Sequence, residues 1–257
     1  MKKCEIVRTP MNPNEKLQKE DGTRKADEKL FRSLVGGLNY LTHTRPDIAH
    51  NVSMVSRYMH SPTKQQLGVA KRILKYVAGS TCFGILYEHI SEFKLVGYID
   101  SDWAGSLDDR KSTLGSVFSF GSGAITWSSK KQDIVALSSS EAEYLAASAA
   151  ARQAVWIRKL LKDLCCEQEG ATEIWCDNRS AIAMTRNPAF HARTKHIEVQ
   201  HHFIRKLVLE ETIALRFCST NIQNADLFSK ALAQAKYQFF MEKIGMYEFE
   251  LRGGVAT

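Results

Sequence analysis

Lys94-Leu95-Val96-Gly97-Tyr98-Ile99-Asp100-Ser101-Asp102-Trp103-Ala104-Gly105 is an apolar run that breaks onto acids. Val96, Tyr98 and Ile99 favour a buried strand, and the Asp- and Gly-containing sequence behind them ends it. A carboxylate at the end of a buried strand is costly unless it is paired or holds a metal. Asp100 and Asp102 are equally eligible for that place, and either alone reads most simply as a turn residue. The stretch is a site only if other carboxylates converge on it.

The neighbouring sequence predicts more of the same sheet. Upstream, Phe83-Gly84-Ile85-Leu86-Tyr87 reads as a strand. Downstream, Ser116-Val117-Phe118-Ser119-Phe120 and Ala124-Ile125-Thr126-Trp127 alternate on either side of Gly121-Ser122-Gly123, so the region predicts an antiparallel meander. A fourth short run, Ile134-Val135-Ala136-Leu137, leads into the helix-start signal Ser138-Ser139-Ser140. The helix that follows, about residues 140–164, carries Ala146, Ala147, Ala150, Ala154, Ile157 and Leu161 on one face, small enough to lie close on a sheet. Thr172-Glu173-Ile174-Trp175-Cys176-Asp177 is a strand that again ends on an aspartate. A short helix then begins at Asn178-Arg179-Ser180, a basic loop spans 191–195, and a helix covers 195–209. Ile213-Ala214-Leu215-Arg216-Phe217 is the last strand, Asp226 stands near the start of the next helix, and residues 236–246 suit one more. Strands first, then strand and helix alternating, predicts a mixed α/β sheet with helices on its faces.

Before the sheet lies a different kind of sequence. Residues 1–28, with Pro10, Pro13 and Gly22, predict an extended or poorly ordered lead-in. Residues 29–80 predict three helices. Their apolar stripes are Leu34, Leu38 and Leu41, then Ile48, Val52, Val55 and Met59, then Leu67, Ala70, Ile73, Leu74 and Val77, with Gly79 closing the third.

The 257 residues carry 35 Lys and Arg against 28 Asp and Glu, a net charge of +7 that suits a polyanionic partner or simply a solvated basic surface. The six cysteines show no C-x-x-C pair and no finger spacing, the adjacent Cys165 and Cys166 suit neither a structural zinc site nor an easy mutual disulfide, and reduced thiols inside a cell are expected. The N-terminus has no secretory signal pattern, and no apolar run reaches membrane-spanning length.

Four acids stand at the ends of these elements: Asp100, Glu143, Asp177 and Asp226. In a mixed sheet the C-terminal ends of neighbouring strands face one crevice, so Asp100 and Asp177 can meet there. Ligands made only of oxygen select a hard cation, with Mg2+ the default. Several carboxylates can hold two such ions across an in-line phosphoryl displacement, and a basic chain points to a nucleic-acid phosphodiester. Taken singly, each acid is more simply a cap or turn residue.

A set of ordered motifs also carries a resemblance. Tyr98-Ile99-Asp100-Ser101-Asp102-Trp103-Ala104-Gly105, Asp109-Arg110-Lys111-Ser112-Thr113, Trp127-Ser128-Ser129-Lys130-Lys131-Gln132, Ser138-Ser139-Ser140-Glu141-Ala142-Glu143-Tyr144, Cys176-Asp177-Asn178, Thr194-Lys195-His196-Ile197 and Ala225-Asp226-Leu227-Phe228-Ser229-Lys230 together resemble the ribonuclease H domain of copia-type long-terminal-repeat retrotransposon polyproteins. Leu34-Val35-Gly36-Gly37-Leu38-Asn39-Tyr40-Leu41, Thr44-Arg45-Pro46-Asp47-Ile48 and Lys71-Arg72-Ile73-Leu74-Lys75-Tyr76 are similar to the tail of the preceding reverse transcriptase. The resemblance implies a ribonuclease H-like fold, a five-stranded mixed sheet whose first three strands are antiparallel, flanked by helices and preceded by a small helical segment. It implies a lead-in over 1–28, a reverse-transcriptase tail over 29–90, the nuclease over 91–235 and a C-terminal helix and tail over 236–257. It further implies cleavage of the RNA strand of RNA–DNA hybrids with two Mg2+ ions, Mn2+ being an alternative, and a setting in cytoplasmic virus-like particles or the nucleus. The polymerase domain is an expected partner and a membrane is not.

Carried over by motif, the metal-holding and catalytic acids are Asp100, Glu143, Asp177 and Asp226. Glu141 is the runner-up for the helix acid. Glu143 stands before Tyr144-Leu145-Ala146-Ala147 and starts the small-residue stripe, whereas Glu141 falls on the side of Ser148 and Arg152. Asn178 and Arg179 are candidates for the hybrid's minor groove and its 2′-hydroxyls, and Arg193, Lys195 and His196 for its phosphates or for proton transfer. Two departures stand out. Residues 218–223, before the last acid, contain no histidine where many cellular ribonucleases H have one, and the polymerase's own double-aspartate motif is not in this chain. A catalytically idle remnant that binds nucleic acid or a protein is the competing expectation.

Overall fold

The computed structural model describes residues 5–13, 15–90, 93–186 and 195–250, with side chains throughout except at 195–201. The described residues between 5 and 27 form no helix, yet Met11 and Leu17 are buried against the helices that follow. α1 (Glu28–Leu41) starts where Asp27 accepts a hydrogen bond from Leu30 N–H, and it buries Phe31, Val35 and Leu38. The expected stripe through Leu34 and Leu41 is therefore out of phase: these two are half-buried, because Phe31 supplies the apolar anchor one turn earlier. The 3₁₀ turn Pro46–Ile48 leads into α2 (Ala49–Ser56). Thr63 and Gln66 then form a reciprocal capping box that opens α3 (Lys64–Ala78), and Gly79 caps its other end.

The strand at Phe83 does not join the meander. β1 (Phe83–Ile85) pairs with a strand at the other end of the described chain, Met246–Glu248, in a separate two-stranded antiparallel ribbon. The main sheet begins with β2 (Leu95–Asp102), followed by β3 (Thr113–Phe120) and β4 (Gly123–Lys131), all antiparallel neighbours. The apolar run at 134–137 forms no strand. Val135 and Leu137 are exposed there, and the segment serves as the approach to Ser138, which caps α4 (Ser139–Asp163). β5 (Thr172–Cys176), α5 (Arg179–Arg186), α6 (Lys195–Leu209) and β6 (Ile213–Phe217) follow, then α7 (Asp226–Ser229), α8 (Gln234–Lys243) and β7 (Met246–Glu248), the partner of β1. Strand order is β4-β3-β2-β5-β6, with β2–β5 and β5–β6 parallel. This is the ribonuclease H-like arrangement that the motifs imply.

Two cores hold it. On one face of the sheet, Ala146, Ala147, Ala150, Ala151 and Ala154 of α4 pack on Leu95, Ile99, Phe118 and Ile174. Their short side chains let the helix backbone sit near the strands, and hydrophobic burial drives the contact. On the other face, α1 to α3 and α7 to α8 share one core with Val117 and Ala124. A buried polar knot ties these two groups of helices together. Arg45 pairs with Asp47 at 2.6 Å, Tyr76 Oη donates to Asp47 Oδ2 at 2.7 Å, and Tyr237 Oη to the Asp47 carbonyl at 2.9 Å. Cys82, Cys165, Cys166, Cys176 and Cys218 are all unpaired thiols. Among the described residues no helix is long and apolar enough to cross a membrane.

Candidate active site

The parallel pair β2 and β5 brings two strand ends to the same edge, and α4 starts beside them. Asp100 near the end of β2, Glu143 in the first turns of α4 and Asp177 just past β5 each offer an oxygen, all within 4.8 Å of one another. Asp100 and Glu143 are buried and Asp177 is half-buried. Glu143 is held in place from two sides: Ser101 N–H donates to its Oε1 at 2.9 Å, and the Cys176 thiol lies 3.7 Å from its Oε2. Burial, then the charges of Asp100 and Asp177, push the Glu143 carboxyl well above the usual carboxylate range. Asp177 Oδ2 accepts a 2.8 Å hydrogen bond from the Thr220 hydroxyl.

Asp226 stands outside that group of three and adjoins Asp100 by a different route. Gly115 lies opposite Asp100 across the β2–β3 ladder. A Cβ there would stand 2.7 Å from the Ala225 carbonyl oxygen and 2.9 Å from Ser229 N, so the missing side chain is what lets α7 rest on the strand. Thus seated, α7 places the fully buried Asp226 beside Asp100. One ammonium bridges them: Lys230 Nζ lies 3.2 Å from Asp100 Oδ2 and 3.0 Å from Asp226 Oδ1. Lys236 adds a second contact, 3.2 Å from Asp226 Oδ2. Burial and Asp100 raise the Asp226 carboxyl, and the two lysines counter them. Ser229 Oγ donates to Asp100 Oδ2.

Glu141 is as buried as Glu143, so burial does not separate the two candidates. Position does. Glu143 is the one grouped with Asp100 and Asp177, while Glu141 Oε2 accepts from Leu137 N–H at 2.7 Å at the entry to α4. Asp102, the last residue of β2, accepts from Thr113 N–H, and burial pushes its carboxyl up to about 7. It belongs to the strand rather than to the turn behind it.

No family model matches the chain. Over 240 residues it is 41% identical to the "Retrovirus-related Pol polyprotein from transposon RE1" of Arabidopsis thaliana, a match spanning 93% of this chain and 16% of that protein. Over 258 residues it is 40% identical to the corresponding polyprotein from transposon TNT 1-94 of Nicotiana tabacum, spanning 96% of this chain and 19% of that one. The chain belongs to the retrovirus-related Pol polyprotein family of retrotransposons. It spans less than a fifth of the length of these two relatives. Among solved structures, LC11-RNase H1, isolated from compost, is similar over 54% of this chain and 94% of its own, at 16% identity and a TM-score of 0.41.

The remaining expected residues of this Pol segment are spread more widely. Asn178 Oδ1 accepts from Ala181 N–H at 3.0 Å and so caps α5, and the Arg179 guanidinium lies 4.2 Å above the Phe217 ring. Arg193 lies outside the described residues, as do the side chains of Lys195 and His196, whose backbone opens α6. Sequence reasoning missed Thr220, Ser229, Lys230 and Lys236. For Ser229 and Lys230 a signal was present: they follow Asp226 by three and four residues, the spacing of one helical face. Thr220 carries no such mark, since its contact with Asp177 depends on how the loop after β6 folds.

Proposed function

We propose that this Pol segment is a ribonuclease H that hydrolyses the RNA strand of RNA–DNA hybrids, using Asp100, Glu143, Asp177 and Asp226 to hold two divalent cations. The observation that carries this reading is the convergence of Asp100, Glu143 and Asp177 within 4.8 Å on rigid strand and helix ends, with Asp226 adjoining. The donor set fits a hard cation, being all oxygen. Two further features fit it: a buried Asp226 Oδ1 that accepts no well-directed hydrogen bond, and a Glu143 whose ionisation a nearby positive charge would favour. When bound, Mg2+ (or Mn2+ in its place) supplies an activated water and neutralises charge on the phosphate. The chain's own contribution is placement. Ser101 N–H and Cys176 orient Glu143, Thr220 orients Asp177, and α7 on Gly115 sets Asp226 against Asp100.

Asn178, Arg179, Arg193, Lys195 and His196 are the residues proposed to contact the hybrid, with Arg179 leaving Phe217 to do so. The helical unit before β2 is proposed as the tail of the reverse transcriptase, and the polymerase domain as its partner in a cytoplasmic particle or the nucleus. A panel of end-labelled RNA–DNA hybrid, double-stranded RNA and double-stranded DNA with Mg2+ tests the reading. Fragments from the hybrid's RNA strand alone are expected. Cleavage of DNA instead would assign a deoxyribonuclease of related fold, and binding without cleavage an idle remnant.

A further inference from the structure

We propose that Lys230 is a built-in counter-ion of this site, whose ammonium occupies the place between Asp100 and Asp226 until a divalent cation displaces it. The inference rests on the metal-binding reading above and adds a competitor to it.

Three observations carry it. First, the ammonium contacts one oxygen of each acid, 3.2 Å from Asp100 Oδ2 and 3.0 Å from Asp226 Oδ1, so it supplies the positive charge that a cation held by these acids would otherwise supply. Second, the acids and the lysine differ in access. The side chains of Asp226 and Asp100 are 0% and 4% exposed, while that of Lys230 is 38% exposed. The lysine enters the buried pair from the solvent side on a flexible stem and can withdraw the same way without unfolding α7. Third, the pairing is geometrically loose. Asp226 Oδ1 accepts no well-directed hydrogen bond although the ammonium is near, so charge rather than direction holds the contact. Lys236 differs on the first point, since it reaches only Asp226 Oδ2.

The consequence is a trade. Without metal, Lys230 relieves repulsion between two buried carboxylates and stabilises the chain. With metal, the same charge opposes binding. A purely structural lysine would give the opposite sign, because removing it would loosen α7 and weaken the metal site.

The test is Mg2+ and Ca2+ binding by calorimetry to the full chain, beside metal-free melting temperatures, for wild type, Lys230→Met, Lys230→Gln, Lys230→Arg and Lys236→Met. Lys230→Met and Lys230→Gln should melt lower without metal and bind Mg2+ at least about tenfold more tightly, since a charge at hydrogen-bond distance outweighs that factor at protein-like dielectric. Lys230→Arg, which keeps the charge, should bind like wild type, and Lys236→Met should change less. If Lys230→Met does not fold without metal, Lys230→Gln, which retains a donor, decides the question. Equal or weaker Mg2+ binding by either folded neutral variant overturns the proposal, as does no binding by any of the proteins. Tighter binding by a chain that leaves the hybrid intact would sustain this inference and remove the nuclease reading.

Discussion

Replacing Glu143 by Gln should make the metal-free protein more stable while abolishing its response to Mg2+. The ligand oxygens of Asp100, Glu143 and Asp177 lie within 4.8 Å of one another. At an effective dielectric near 20, two unit charges at that separation repel by about 3.5 kcal/mol. Lys230 beside Asp100 and the Ser101 N–H on Glu143 offset part of this, which leaves about 1–3 kcal/mol for the neutral, isosteric amide to recover. For a chain of this size that is a rise of roughly 3–10 °C in Tm. The pH dependence has a definite sign. Burial first, then Asp100 and Asp177, hold the Glu143 carboxyl well above 4.5, so the native state keeps a proton that the unfolded state releases. Native stability therefore falls as pH rises above the unfolded value, and the glutamine variant escapes that loss. Thermal melts in EDTA at pH 5 and pH 8 read this directly. The gain should be small at pH 5 and larger at pH 8, and Mg2+ should raise the Tm of wild type only. A Glu143→Gln protein no more stable than wild type at pH 8, or one that gains more at pH 5, would refute the reasoning.

Three other outcomes follow from the packing around the site. His50, wholly buried between Ser129, Arg57 and the Phe228 backbone, is depressed by burial and then by Arg57 from 6.5 to about 3. The unfolded chain takes up that proton first, so stability should fall by about 1.4 kcal/mol per pH unit below 6.5, and urea midpoints of His50→Gln should show a flatter slope. Gly115→Ala should cost about 1–3 kcal/mol by pushing α7 off the strand. Because α7 carries Asp226, the rise in Tm on adding Mg2+ should shrink as well. Asp47→Ala should cost about 3–5 kcal/mol in urea unfolding, since it strands the buried Arg45 charge, whereas Arg45→Met with Asp47→Leu should cost less.

The central sheet was legible because its strands obey local rules. β2, β3 and β5 alternate buried and half-buried residues, and Asp100 and Asp177 stand where their apolar runs stop. Glu143 followed from its motif and the alanine face behind it. The misreadings have a common cause, which is that periodicity does not name a partner. Phe83 looked like a first meander strand, but its partner, Met246–Glu248, lies near the end of the chain. Ile134 to Leu137 were apolar enough for a strand, yet Val135 and Leu137 are exposed and the chain passes straight into the Ser138 cap of α4 instead of pairing. In α1, Leu34 and Val35 are adjacent, and only the position of Phe31 chooses between them. Thr220 acquires its role from a tertiary contact alone, through the loop after β6 closing on Asp177, whereas Lys230 carries a local spacing to Asp226 but meets Asp100 only because α7 rests on Gly115.

The proposed function stands or falls on whether the four acids perform chemistry on a hybrid. The direct measurement is a time course with RNA-labelled RNA–DNA hybrid and Mg2+, run with wild type and with Asp100→Asn shown by circular dichroism to be equally folded. Internal RNA fragments from wild type and an intact strand from Asp100→Asn are the predicted result. An intact hybrid with folded wild type in both Mg2+ and Mn2+, or undiminished cleavage by Asp100→Asn, would contradict it.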